Sequence, residues 1–150
     1  MDCGPTCLSM VANYYGRHYT LDTLKNLTGL NKIGATLLSL SEAAEAIGFR
    51  TRGAHLTFKE LSEEAILPCI LHWDQNHYAI VVSFSKNQQK VKVADPAKGL
   101  LTLTQKEFLE HWISTSYSDL EEPVGTALLL EPGAAFYQKE GEQNKGVGWR

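Results

Sequence analysis

The chain has 150 residues, of which 43% are hydrophobic and 21% charged, and its formal net charge is −3 at pH 7. These values are typical of a soluble globular protein of about one domain, and they exclude a disordered or fibrous chain. The basic residues form no block that could follow a phosphate backbone, so nucleic acid is not an expected partner.

The cysteines and the apolar runs indicate where such a chain resides. Three cysteines are too few for the disulfide framework of a small secreted domain, which favours free thiols in a reducing compartment. The longest apolar runs, such as residues 79–82, are too short for a bilayer core of about 30 Å. Met1 leads directly into Asp2 and Cys3 without a signal peptide. We therefore expect the chain taken alone to be soluble.

The first third of the chain carries helical patterns. Apolar residues recur at spacings of three and four after Gly4-Pro5, and Gly16 is a stop signal, so the first helix is predicted to begin at Cys3. A second helix is predicted from its N-cap Thr20 to Gly29, and a third from Thr36 to Ile47.

The pattern then changes to strands. Thr57 and Glu60 have the spacing of a capping box that begins a short helix. Residues 66–73 are apolar and compatible with a strand. Further strands are predicted over residues 77–84 and 90–95, joined by a polar turn at 86–89 into a hairpin.

The last part of the chain completes the predicted fold. Thr104 and Glu107 form a second capping box, for a helix with Phe108 and Trp112, and residues 125–131 resemble a buried strand. Helices followed by an antiparallel sheet indicate an α+β domain, predicted here over residues 1–132. Residues 133–150 are polar and glycine-rich, which predicts a linker.

Cys3 is the candidate nucleophile. A helix N-terminus favours a thiolate, because unpaired N–H groups and the helix dipole stabilise negative charge there. Gly4 allows a substrate to approach the backbone closely, and Pro5 suits a first helical turn. The alternative is a buried structural thiol, and for Cys7 and Cys69 the core interpretation is favoured.

A cysteine nucleophile needs a base and a group that orients the base. His77 begins one strand of the predicted hairpin and Asp95 ends the other, so both lie at the same end of the sheet. Whether they share a face depends on a one-residue choice of register that the turn leaves open. His72 is a weaker candidate base, and Asp74 is the alternative carboxylate. Asn76 is interpreted as a turn residue.

Zinc is a further alternative, since the chain has three cysteines and five histidines. Cys3 and Cys7 do not have the spacing of a Cys-x-x-Cys knuckle, and no second close pair follows. We predict neither a metal nor a cofactor for this domain.

Three separated motifs carry a family resemblance. They are Asp2-Cys3-Gly4-Pro5-Thr6-Cys7-Leu8, Asn76-His77-Tyr78 and Ala94-Asp95-Pro96-Ala97-Lys98-Gly99. In this order they resemble the bacteriocin-processing peptidase domains at the N-terminus of peptidase-containing ABC transporters. The resemblance covers nearly the whole chain, including the closing residues 128–132.

The resemblance implies a papain-like cysteine peptidase on the cytosolic side of a membrane. It implies cleavage of leader peptides after a double-glycine motif, before a transporter exports the cargo. Matched residue by residue, the family's catalytic set falls on Cys3, His77 and Asp95. The implied partners are the leader peptide and the transmembrane and ATP-binding domains of a longer protein. ATP is implied only for those other domains, and the linker from residue 133 would lead to the membrane.

One feature of the family pattern has no counterpart in this sequence. The family has a glutamine several residues upstream of the cysteine, where its amide helps to bind the oxyanion, whereas only two residues precede Cys3. Loss of one such donor costs about 10²- to 10³-fold in rate, so the sequence as given is expected to cleave poorly.

Two alternative functions stay open. One is a peptidase-like module that binds a leader or a transporter without cutting, and the other is a papain-like hydrolase or acyl transferase unconnected to export.

Overall fold

The computed structural model describes residues 3–28, 36–113 and 122–138. The chain divides into two compact units, one with residues 1–52 and 130–150 and one with residues 53–129. In the described ranges the helices are α1 (Cys3–Tyr14), α2 (Leu21–Thr28), α3 (Leu37–Ala46), α4 (Phe58–Glu64), α5 (Gln105–Trp112) and α6 (Ala134–Gln138). The strands are β1 (Phe49–Leu56), β2 (Cys69–Trp73), β3 (His77–Phe84), β4 (Lys90–Asp95), β5 (Gly99–Thr104) and β6 (Gly125–Pro132).

These described strands form a sheet in the order β1-β6-β2-β3-β4-β5. The pairs β2–β3, β2–β6, β3–β4 and β4–β5 are antiparallel. Helices α1 to α3 precede the sheet in the chain, which confirms the predicted α+β class. In the described ranges we find no helix with the length and apolar character needed to span a membrane. The extent of the domain, residues 1–132, stays a prediction.

The first unit is built on three amphipathic helices, as predicted. The apolar stripe of α1 is fully buried at Leu8, Val11 and Ala12. The Thr20 hydroxyl accepts a hydrogen bond from the N–H of Thr23 at the start of α2, at 3.2 Å. Thr36 caps α3 in a capping box. Helices α2 and α3 thus begin where the local sequence indicates, because a cap supplies an acceptor for N–H groups that the helix itself leaves without one.

The first residues of the predicted linker form the short helix α6 (Ala134–Gln138). Phe136 is fully buried, and its ring centroid lies 4.5 Å from that of Phe49. The Arg17 guanidinium donates hydrogen bonds of 3.1 Å to the carbonyls of Phe136 and Tyr137. The buried ring of Phe136 therefore anchors α6 within the first unit. Residues 139–150 of the predicted linker lie outside the described residues.

The second unit packs α4 and α5 with the central strands. Its core is a cluster of buried side chains that includes Leu71, Trp73, Val93, Phe108 and Trp112. Both predicted capping boxes are present, at the N-termini of α4 and α5. Each box satisfies two N–H groups at once, which explains why this short pattern is informative in the sequence.

The sequence analysis predicted neither β1 nor β5 as a strand. Strand β1 contains charged residues and a glycine, and half of its positions are exposed, so it lacks a regular apolar alternation. Strand β5 begins at Gly99, which has a positive φ of 90°. The pairing of β5 with β4 runs from Lys90 opposite Thr104 to Asp95 opposite Gly99. Pairing with a neighbour defines both strands, and local composition does not reveal it.

Substituting Gly48 tests the packing of α6. Gly48 has a φ of 108°, and a Cβ there would clash with the backbone of Phe136. We expect Gly48→Ala to lower the free energy of unfolding by roughly 2–4 kcal/mol, from backbone strain and the clash together. The measurement is urea unfolding followed by circular dichroism.

Gly99→Ala is the matched control. Gly99 has a similar φ of 90°, but among the described residues no atom lies within 4 Å of the added methyl group. Only backbone strain remains, at about 1 kcal/mol. Equal losses in the two variants would show that α6 does not pack against Gly48.

Candidate active site

The three cysteines, all within the described ranges, differ in their access to solvent. Cys3 is the first residue of α1 and is 7% exposed, whereas Cys7 and Cys69 are fully buried. Burial raises the pKa of the Cys69 thiol to about 12, so it stays protonated at neutral pH. The core positions predicted for Cys7 and Cys69 are confirmed. Cys3 is the thiol that combines a helix N-terminus with residual exposure.

His77 and Asp95 form a hydrogen-bonded pair. The distance from His77 Nε2 to Asp95 Oδ1 is 3.0 Å, and the two side chains are 16% and 3% exposed. The same carboxylate oxygen accepts a hydrogen bond of 2.8 Å from the N–H of Ala97. The proximity predicted from the hairpin is confirmed.

A β-bulge places the two side chains on one face of the sheet. Near the turn Ser83 lies opposite Lys92, but beyond the bulge Val81 lies opposite Val93. If the register of Val81 opposite Val93 continues, Asp95 lies opposite Ala79. His77, two residues before Ala79, is then the diagonal neighbour of Asp95 on the same face. The register near the turn, with Ser83 opposite Lys92, would instead set Asp95 opposite Ile80, and its side chain would lie on the face away from His77. The extra residue in β3 thus decides the register that the turn sequence left open.

The surroundings of Asp95 favour its ionised form. Burial alone would raise the pKa of Asp95, but hydrogen bonds from His77 and from the N–H groups of Ala97 and Lys98 outweigh it, and so the pKa lies below the usual 3.8. The charge of a protonated His77 acts in the same direction. At neutral pH the Asp95 carboxylate therefore accepts a hydrogen bond from the ring of His77. The ring proton that makes this bond lies on His77 Nε2, and Nδ1 is the nitrogen that remains for proton transfer.

The other polar residues weighed in the sequence lie elsewhere. The ring of His72 packs against Tyr78 with centroids 5.6 Å apart. Asp74, the alternative carboxylate, is paired with His111 at 2.6 Å instead of with His77. Sequence reasoning missed this role of His111, because the pair joins residues 37 positions apart on different elements. Asn76 lies in the short segment between β2 and β3, in agreement with a turn role.

Within residues 3–28, 36–113 and 122–138, no group of three or more His, Cys, Asp and Glu side chains could hold a metal ion.

Comparison with known proteins identifies the family. The family model described as Peptidase C39 matches residues 1–117. The chain belongs to the peptidase C39 family. The resemblance based on the three motifs is therefore confirmed.

Relatives of this C39 domain are much longer proteins. It is 33% identical over 137 residues to the colicin V secretion/processing ATP-binding protein CvaB of Escherichia coli, covering 90% of this chain and 17% of the relative. It is 31% identical over 153 residues to the transport/processing ATP-binding protein ComA of Streptococcus pneumoniae, covering 98% and 20%. The C39 domain thus spans a fifth or less of the length of these two relatives.

Solved structures agree with the fold of this C39 domain. A double glycine motif protease from an AMS/PCAT transporter, in complex with the leader peptide, matches with a TM-score of 0.74 and 27% identity, covering 87% of this chain and 84% of that one. The peptidase domain of Streptococcus ComA matches with a TM-score of 0.72 and 28% identity, covering 87% and 91%. These matches confirm the predicted fold class.

A titration tests which groups set the pKa of Asp95. Removing the ring in His77→Ala leaves burial opposed only by backbone N–H groups, so we expect the pKa of Asp95 to rise. The measurement is the pH dependence of the carboxyl ¹³C shift in both proteins. Because the folded pKa is lowered, the ionised carboxylate stabilises the fold above the unfolded pKa of about 3.9, and this contribution is lost as the pH falls through the folded value.

Glu45 is the internal control for this titration. Hydrogen bonds from the Thr51 hydroxyl and N–H lower its pKa, and His77 is not among these donors. Its titration should be the same in both proteins. An unchanged pKa of Asp95 in His77→Ala would contradict its pairing with His77.

Proposed function

We propose that this C39 domain is a cysteine endopeptidase with Cys3 as nucleophile, His77 as general base and Asp95 as the group that orients His77. The observation that carries the proposal is the 3.0 Å contact between His77 Nε2 and Asp95 Oδ1. It leaves Nδ1 as the nitrogen that takes the thiol proton, and the reaction requires Cys3 Sγ to come within hydrogen-bond reach of it. Asp95 orients the ring of His77, and its negative charge stabilises the imidazolium without Asp95 being protonated itself.

The proposed reaction has two stages. In the first, Cys3 Sγ attacks the scissile carbonyl, and the His77 imidazolium gives its Nδ1 proton to the leaving amine, which departs as the C–N bond breaks. In the second, Nδ1 takes a proton from water, which attacks the thioester and releases the carboxylic acid and the Cys3 thiolate. The dipole of α1 stabilises that thiolate in both stages.

The proposed substrates are leader peptides cut after a double-glycine motif. This rests on the solved protease bound to a leader peptide, which is 27% identical, and on the processing function in the names of CvaB and ComA. A narrow cleft that admits only glycine beside the cut would reject other residues by steric clash. We further propose that the domain acts on the cytoplasmic side of a membrane, joined to the transmembrane and ATP-binding domains of an exporter.

A peptide-cleavage assay with matched cysteine variants tests this function. A synthetic leader ending in Gly-Gly and followed by a short cargo sequence is incubated with the protein, and the products are identified by mass spectrometry. We expect cleavage after the second glycine and its loss in Cys3→Ala. Cys69→Ala is the control, because Cys69 is fully buried within β2 and should be dispensable for chemistry.

Three outcomes would contradict the proposal. Equal cleavage by Cys3→Ala would exclude this thiol as the nucleophile. Tight binding of the peptide to the unsubstituted protein without any cleavage would support the non-cleaving module instead. Cleavage of peptides without the two glycines at the same rate would support a general hydrolase.

Substitutions of Asp95 test its role as an orienting group. Asp95→Ala removes the acceptor for His77 Nε2–H, so the ring can turn away, and kcat should fall about 10²-fold. Asp95→Asn keeps an oxygen that accepts from Nε2–H, and it should keep most of the activity, within about tenfold. The measurement is kcat on the leader peptide. An equal loss in both variants would indicate that charge, and not orientation, is the contribution of Asp95.

A further inference from the structure

A second histidine–aspartate pair holds the turn that precedes His77. His111 Nδ1 lies 2.6 Å from Asp74 Oδ1, and the N–H of Asp74 donates a 2.9 Å hydrogen bond to the carbonyl of His111. The imidazole also stacks on the indole of Trp73, with centroids 5.1 Å apart and an interplanar angle of 10°. Three contacts therefore join the last turn of α5 to the end of β2.

The turn needs such support because its backbone is unusual. Asp74 and Gln75 have positive φ values of 51° and 72°, and neither is glycine. Residues with side chains adopt this conformation at a cost and keep it where the surroundings hold them. In this turn the surroundings include the side chain and the carbonyl of His111.

The position of the turn determines the position of His77. Trp73 is paired with His77 across the hairpin, so only residues 74–76 separate them. His77 is the first residue of β3, and its ring must reach Asp95 across the neighbouring strand. A displacement of the turn would therefore act first on His77, the residue that joins the turn to β3.

Stability alone does not explain the pair. The side chains of His111 and Asp74 are 38% and 46% exposed, and exposed pairs contribute little to stability. Helix α5 is already anchored by the fully buried Trp112, whose Nε1–H donates a 3.1 Å hydrogen bond to the carbonyl of Thr126. Removing the imidazole should thus leave α5 in place and release mainly the turn.

We propose that His111 is a positioning residue for His77, acting through Asp74 and Trp73, an inference that rests on the proposed peptidase function. In this role His111 acts on the turn and takes no part in the bond changes of the reaction. It holds the β2–β3 turn so that the ring of His77 stays in line with Asp95.

The test compares His111→Ala and His111→Asn with His55→Ala. Asparagine can still donate a hydrogen bond to Asp74, whereas alanine cannot. His55 is a matched control, since it is an exposed histidine of the same unit with one hydrogen bond, of 3.1 Å, to the Thr126 hydroxyl. The measurements are kcat and KM on the leader peptide, together with the ¹H shift of the His77 Nε2–H proton by NMR.

For His111→Ala we expect kcat to fall about tenfold, with KM changed by less than about twofold. The Nε2–H signal of His77 should move upfield as its hydrogen bond to Asp95 lengthens. His111→Asn should recover most of kcat, and His55→Ala should match the unsubstituted protein in both measurements.

The two proposals fail in different ways. If His111→Ala matches His55→Ala in kcat and in the His77 signal, the positioning role is wrong even though the peptidase is active. If no variant cleaves the peptide but the His77 signal still moves in His111→Ala, the positioning role holds and the peptidase function fails. If His111→Ala does not fold, His111→Asn and His55→Ala are compared instead, and a fall in kcat of His111→Asn without any movement of its His77 Nε2–H signal would overturn the proposal.

Discussion

The hydrogen bond between His77 Nε2 and Asp95 Oδ1 connects the first residue of β3 to the last residue of β4. It depends on the bulge between Val81 and Ser83, because the register on the turn side of the bulge would turn the two side chains to opposite faces. One extra residue in a strand therefore makes the pair possible. This agrees with the general tendency of bulges to lie near functional sites, where they redirect a side chain.

Asp95 is nearly buried, at 3% exposure, and a buried charge is costly unless other groups compensate for it. The compensation comes from the ring of His77 and from the N–H of Ala97, which both bond to the same oxygen. Because these bonds favour the ionised carboxylate, the tautomer of His77 is set by the fold. Local backbone geometry after β4 thus contributes directly to the chemistry that we propose for Nδ1.

Among its described residues the second unit has two histidine–aspartate pairs, which differ in burial. The His77–Asp95 pair has side-chain exposures of 16% and 3%, whereas those of the His111–Asp74 pair are 38% and 46%. Water screens the second pair, so its value lies in geometry more than in charge. The first pair is suited to proton transfer, and the second is suited to holding a turn.

The sequence by itself determined the features that depend on neighbours in the chain. The capping boxes, the start of α1 at Cys3 and the bounds of both hairpin strands follow from short-range hydrogen bonding and from alternation. The family resemblance also came from residues alone, because three motifs in order are specific. Tertiary structure decided the rest: the register of the hairpin, the packing of Phe136 that makes α6 a helix, and the partner of Asp74. Each of these depends on contacts between residues far apart in the chain, which local patterns do not encode.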